Sequence, residues 1–420
     1  MFGMIAGAIP SVAQVPMSVT NPIEVRLQPE AIGNETSGGS QFYKYGIYAS
    51  IGGSGTPQLY EFDTGAAGFY AVYSTNTAVD SPAWGGDSNS YPIVSTNDSI
   101  EYVSSNDYSG NIVATAVALY SADGNDGFQA NAVISTAPPG STNVLVGQVT
   151  SISDSASGDI LWPNTNEPPV DKNFYGDFGA ALTYTNSGIM NILAQLNYSS
   201  GVIPGFVIKL GTNGNADPVL QLGMTSNELS QYPYQFAING MNATNPFPVA
   251  QGSTNTIPTY DEGVINATYT LGNSNNVSWT NTGPVVLDTG ASGFLRNDTN
   301  SEALDPLITG TMISNGVHFN LSLTNSDGTA GLSYSSVTGT NPGDISLLAL
   351  QGGYYALNVG QDLFHQYNVA YDLQDGIIAF QPLQPVPEPH AGLLVLLGMM
   401  TISATALLSK FINPKTRNCT

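Results

Sequence analysis

Phe62-Asp63-Thr64-Gly65-Ala66-Ala67-Gly68-Phe69 and Leu287-Asp288-Thr289-Gly290-Ala291-Ser292-Gly293-Phe294 are one octapeptide written twice. Six of the eight positions are identical, at an offset of 225 residues. A repeat that close, once in each half, points to two related lobes. Each copy follows an apolar, strand-like run, Gln58–Phe62 and Pro284–Leu287, and places small residues directly after the acid. The pattern predicts one carboxylate at the tip of each strand, in a tight turn whose glycine lets backbone amides approach it. A single Asp-Thr-Gly most often reads as an aspartate capping a surface turn. Two copies with the same Ala-x-Gly-Phe continuation argue against that reading.

Two carboxylates presented by two similar lobes suit one chemistry. Held about 3 Å apart they cannot both ionise, so they share a proton. One then acts as base towards a water between them while the other acts as acid. Asp63 and Asp288 are therefore the candidate catalytic pair.

Composition narrows the rest. Glycine is abundant, at 46 of 420 residues, only 9% of residues are charged, and helical periodicity is rare, so the expected fold class is mostly all-β. The chain carries 31 acids against 8 bases, a net charge of −23. No basic patch is available for nucleic acid, which excludes that partner class. Below about pH 3 the carboxylates are mostly neutral and the few bases set a small net charge, which suits an acidic milieu. A generic acidic secreted protein kept soluble by its charge has the same composition. The one cysteine, Cys419, leaves no intrachain disulfide within this sequence, and His318, His365 and His390 are too scattered for a metal site. Neither metal nor cofactor is expected.

At this point the chain resembles the pepsin-like aspartic proteases, over roughly residues 41–384. Tyr45–Phe62 resembles the family's N-terminal hairpin, including the turn Gly55-Thr56-Pro57-Gln58, and Phe206–Gly223 resembles the strands closing the first lobe. Leu357-Asn358-Val359-Gly360-Gln361-Asp362-Leu363-Phe364, followed by Tyr367–Phe380, resembles the last strands. The resemblance implies a bilobal fold with pseudo-two-fold symmetry, a cleft between an N-terminal lobe (41–226) and a C-terminal lobe (227–384), and an endopeptidase activity on protein or peptide substrates by a monomer. It implies that Thr64 and Thr289 bond across the lobe interface, and that Gly65 and Gly290 aim backbone amides at the carboxylates. It implies a covering hairpin with a tyrosine: Tyr102, 39 residues after Asp63, or Tyr108, nearer the turn at Gly110. Tyr70 stands where the family has tryptophan. Ala66 and Ala291 replace the hydroxyl residues of pepsin, although retroviral relatives also carry alanine there; their loss is expected to raise the pair's pKa values. Gly158-Asp159-Ile160-Leu161-Trp162 falls where the family threads two apolar residues and a glycine behind the first catalytic loop, with Trp162 in the glycine's place. Two alternatives stand beside the enzyme: a pepsin-like binding protein without catalysis, and a surface or matrix protein using the fold as a scaffold.

Along the chain, residues 1–14 read as the remnant of a signal peptide, or else as a short apolar strand or unstructured end. Residues 15–40 read as a polar lead-in, Ser74–Asn97 as a loop, and 188–197 as a helix with Ile189, Ile192, Leu193 and Leu196 on its apolar face. The lobe boundary is expected near Met224–Ser230. Residues 385–420 form a separate device. Val386-Pro387-Glu388-Pro389 precedes an 18-residue apolar run, Ala391–Leu408, followed by Lys410, Lys415 and Arg417. The run just suffices for a transmembrane helix with its C-terminus inside. Together these resemble the bacterial PEP-CTERM sorting signal, which implies export to the cell surface or medium, membrane attachment before cleavage, and an exosortase-type sorting enzyme as partner. A plain C-terminal anchor is the other reading.

Overall fold

The computed structural model describes residues 17–33, 42–52, 56–74, 91–102, 104–137, 144–163, 168–183, 189, 191–211, 217–240, 259–261, 265–273, 278–291, 295–296, 307–309, 312–324, 331–338 and 357–383. Among these the chain is mostly β, with short helical turns at Ile192–Gln195, Ser226–Leu229 and Gln361–Phe364. The body through Gln381 is one compact unit; residues from Pro382 onward belong to a second, of which only Pro382 and Leu383 are described. Among the described residues no helix is long and apolar enough to cross a membrane. The signal-like residues 1–14, Val386–Pro389 and Ala391–Leu408 lie outside them.

Three sheets carry the body. In the first half of the chain an eleven-stranded sheet contains the consecutive neighbours Ala67–Val72, Gly176–Ala180, Gln58–Asp63, Phe42–Ile51, Val117–Tyr120 and Ile134–Ser135. In the second half a six-stranded sheet runs Leu295–Arg296, Leu357–Val359, Ser278–Leu287, Asn266–Gly272, His318–Thr324, Leu332–Val337. The two orders correspond strand for strand. Each strand ending at an aspartate lies parallel to a later strand, Gln58–Asp63 to Gly176–Ala180 and Ser278–Leu287 to Leu357–Val359, and each forms an antiparallel hairpin with the strand before it.

The third sheet joins the ends and middle of the chain in the order Ile23–Arg26, Val219–Met224, Ile203–Lys209, Tyr367–Asp372, Ile377–Pro382, Tyr234–Ala237. Its inner faces bury Val25, Phe206, Ile208, Leu220, Leu222, Phe236, Tyr371 and Phe380 in a core continuous with both halves. Burial of that apolar area is the main favourable contribution to the fold. Phe206 stacks on Tyr371, at 4.6 Å between ring centroids, across the strands of the middle and the end.

Several expectations need correction. The lead-in 15–40 holds two strands: Ile23–Arg26 joins the third sheet and buries Val25, and Gln28–Gly33 pairs with Phe42–Ile51 in the first, with Leu27 buried between them. The expected loop Ser74–Asn97 gives way to a strand at Ile93, since Ile93–Glu101 pairs with Asn106–Thr115. That hairpin is closed by the Ser105 N–H on Tyr102 O and the Tyr102 N–H on Asn106 O, with Ser105 at φ +69°, and Gly110 lies within a strand. Gly110 is glycine for a different reason: a methyl there would run into the Gln148 carbonyl of the neighbouring strand. Of the helix expected over 188–197, one turn of 3₁₀ helix forms, Ile192–Gln195. All four predicted apolar residues are buried. Asn191 caps the turn by accepting from the Leu193 N–H (2.8 Å) and ties it to Ala180 O (2.7 Å), and Leu196 is already extended. Within the segment expected to hold the boundary, Met224–Ser230, lies a one-turn helix capped by Thr225, whose hydroxyl accepts from the Glu228 N–H at 3.1 Å.

His365 is buried, with Nδ1 2.7 Å from Gly211 O and its ring 6.0 Å from Tyr45 of the first-half sheet. Burial lowers its pKa to about 4, against a partial offset from the Gly211 carbonyl. A group depressed on folding leaves the unfolded chain binding the extra proton, so stability is full above about pH 6.5 and falls as pH drops towards 4. The loss amounts to about 3 kcal/mol. His365→Gln should remove that component: in denaturant melts between pH 7 and 4, native protein should lose stability relative to the variant by about that amount. A pH-independent difference would refute the assignment.

Candidate active site

The two Asp-Thr-Gly turns meet. Thr64 N–H donates to Thr289 Oγ1 and Thr289 N–H to Thr64 Oγ1, both at 3.0 Å. Each hydroxyl then donates onward to the carbonyl preceding the other aspartate: Thr64 Oγ1 to Leu287 O and Thr289 Oγ1 to Phe62 O, both at 2.8 Å. Both threonines are buried, so these four bonds form where water cannot replace them. Each glycine of one turn lies against the carboxylate of the other. A methyl on Gly65 would land on the Asp288 carboxyl and one on Gly290 on the Asp63 carboxyl, so only glycine fits.

The carboxylates themselves are half-buried. Asp63 Oδ1 accepts the Gly65 N–H at 2.6 Å. Asp288 Oδ1 accepts the N–H groups of Gly290 (2.8 Å) and Ala291 (3.0 Å), and its Oδ2 accepts Asn358 Nδ2. Burial pushes Asp63 well above the ordinary carboxyl range, and the acids Asp288, Asp177 and Glu61 push in the same direction. The unequal donor count, three on Asp288 and one on Asp63, favours a shared proton on Asp63.

Asn358 and Asp177 were not among the residues expected here. Their strands run parallel to the two aspartate strands in identical register: Asp177 lies opposite Glu61 and Asn358 opposite Val286, each two residues before the aspartate. The strand behind the first turn is thus Gly176–Ala180, and the expected Gly158–Trp162 segment lies elsewhere. Gly158 follows a surface turn, Ile160–Trp162 pairs with Val144–Asp154, and Trp162 is buried with its indole N–H 3.4 Å from Tyr73 O. A signal was present: Asp177-Phe178-Gly179 and Asn358-Val359-Gly360 share a polar–apolar–glycine pattern.

A charged layer lies beside Asp63. Lys44 forms ion pairs with Glu61 (2.7 Å) and Asp171 (2.8 Å). Burial alone would lower the Lys44 pKa, but those two acids hold it above its usual value. Of the two flap candidates, Tyr102 adjoins the hairpin turn and Tyr108 is wholly buried, their rings 4.7 Å apart. Both are held well above the ordinary phenol range by burial, with Asp177 the next cause in each case. Tyr70 is buried, and its hydroxyl donates to Asp98 Oδ2 in the same hairpin at 3.1 Å, anchoring it. Among the described residues no group of three or more His, Cys, Asp or Glu is placed to hold a metal ion. No family model and no curated protein matches the sequence.

Thr64→Val keeps the shape but leaves the Leu287 carbonyl and the Thr289 N–H buried without a partner. It should cost about 2–3 kcal/mol of stability, and Thr64→Ser should recover most of it. In a cycle with Thr289→Val the two losses should couple by at least about 1 kcal/mol; simple additivity in thermal or denaturant melts would mean that the bonds act independently.

Proposed function

We propose that the chain is a pepsin-like aspartic endopeptidase, with the two matching sheet orders as two lobes related by a pseudo-two-fold axis between Thr64 and Thr289. The observation that carries this reading is the reciprocal threonine bonding, which fixes two strand-tip carboxylates side by side. Asp63 and Asp288 share one proton and hold a water between them. The ionised member takes a proton from that water as it attacks the peptide carbonyl, while the protonated member gives its proton to the carbonyl oxygen. Collapse of the tetrahedral diol then breaks the C–N bond: the leaving amine takes the proton held by the pair, one hydroxyl of the diol gives its proton back to the pair as the carboxyl product forms, and the dyad again holds one proton. Backbone amides of Gly65, Gly290 and Ala291 keep the carboxylates aimed without moving during the reaction. The substrate is an extended polypeptide, with Tyr102 and Tyr108 on the hairpin above the site. Upstream and downstream segments direct export and exosortase-type processing, which leaves a monomeric enzyme outside the cell.

A binding or surface protein on the same scaffold is the second reading, favoured by alanine at 66 and 291 where pepsin has hydroxyls. One experiment separates them. Residues 15–385 should cleave an unfolded protein substrate in a bell-shaped pH profile. Activity falls on the acid side as the second proton binds and on the alkaline side as the shared proton leaves. Asp288→Asn should reduce kcat/KM by at least about 10³-fold without loss of folding. Folded native protein that cleaves nothing between pH 2.5 and 7, and binds no statine-type inhibitor, would sink the protease reading.

A further inference from the structure

The two aspartates are served unequally from behind. Asn358 donates its amide to Asp288 Oδ2. The residue in the same register of the first half is Asp177, on the strand parallel to the one ending in Asp63. Residues two apart on a strand share a face, so Glu61 and Asp63 project to one side. Asp177, opposite Glu61 in a parallel pair, projects to that side as well.

Asp177 is 3% exposed, and its Oδ1 has no hydrogen-bond partner among the described residues. The Tyr102 hydroxyl is turned towards this carboxyl and favours its charged form, but falls short of a full hydrogen bond to it. Its surroundings are crowded with acids: Glu61 and Asp63 on one neighbouring strand, with Asp171 and Asp288 close by. Tyr70 lies opposite it on the other neighbouring strand, and Tyr102 and Tyr108 cover it from the hairpin. The one cation of the group, Lys44, is already paired with Glu61 and Asp171. A buried carboxyl without a cation of its own keeps its proton.

We propose that Asp177 is a positioning residue of the active site: in its protonated form it is the first lobe's counterpart of Asn358 and presents a hydrogen-bond donor to Asp63. The centre then holds three carboxyls and two protons, one of which stays on Asp177 through turnover. This role rests on the protease reading for its catalytic meaning, but the coupling of Asp177 to Asp63 does not.

The test is a carboxyl ¹³C NMR titration of the aspartates in the native chain, Asp177→Asn and Asp177→Val, with Asp63 assigned from the Asp63→Asn spectrum, beside pH profiles of kcat/KM. In native protein the Asp177 carboxyl should remain protonated while Asp63 and Asp288 exchange their shared proton. Asp177→Asn, which supplies an amide donor, should leave the Asp63 titration within about half a unit and kcat/KM within about threefold. Asp177→Val removes the donor from the charged form, so the Asp63 titration and with it the alkaline limb of the profile, where the shared proton leaves, should rise by about one unit. Asp177 ionising in the ordinary carboxylate range would overturn the proposal even if neither variant folds. So would a fall in the Asp63 titration on either substitution, which would make Asp177 a repelling anion. Titrations as expected in a chain that cleaves nothing would keep the coupling and discard the protease reading.

Discussion

Four hydrogen bonds centred on Thr64 and Thr289 hold together what electrostatics would push apart. Two carboxylates side by side repel, and their burial removes the water that would screen them. The threonines answer with a closed ring in which each hydroxyl accepts from one partner and donates to another. A shift of about 1 Å in either turn breaks all four at once, which makes the contact all-or-none rather than graded. Everything near the site depends on this register. The glycines can press against the opposite carboxylates only because the turns are locked.

Around that contact the two halves repeat a strand order more faithfully than they repeat a sequence. Outside the octapeptides the corresponding strands share little: Gly176–Ala180 is Gly-Asp-Phe-Gly-Ala, while its counterpart Leu357–Val359 is Leu-Asn-Val. Identity persists where backbone meets carboxylate and lapses where any apolar side chain fills the core. Where the halves differ at the centre, the difference is one of charge: Asn358 is neutral at every pH, and Asp177 belongs to a layer of acids balanced by one lysine.

The legible parts were those written locally. Asp63, Thr64, Asp288 and Thr289 announced themselves because one turn motif occurs twice, and the β character followed from composition. The strand pattern at Tyr45–Phe62 was equally plain, since Ile47, Leu59 and Phe62 fall on strands whose faces are buried. What stayed hidden depends on distant partners. Ile23–Arg26 looks polar until Val219–Met224 pairs with it, and Ile189–Leu196 has a helical spacing that Asn191 cuts to one turn. Asp177 was missed in favour of Gly158–Trp162 because both segments offer an apolar strand beside glycine. Only the parallel pairing with Gln58–Asp63 distinguishes them.

The third sheet draws its strands from residues 23–26, from 203–237 and from 367–382, so it cannot close until the last of these has been synthesised. Ile203–Lys209 waits for Tyr367–Asp372, and Leu357–Val359 must dock before the strand leading to Asp288 has its parallel neighbour. On a ribosome the first half emerges with Asp63 exposed and its opposite carboxylate not yet made. Such a chain cannot bring its two aspartates together during its own synthesis: an unfinished copy has no second turn to meet the first. Long-range pairing of this kind slows folding. Here the two turns cannot be locked in place until the strands at Leu357–Val359 and Tyr367–Asp372 have been made.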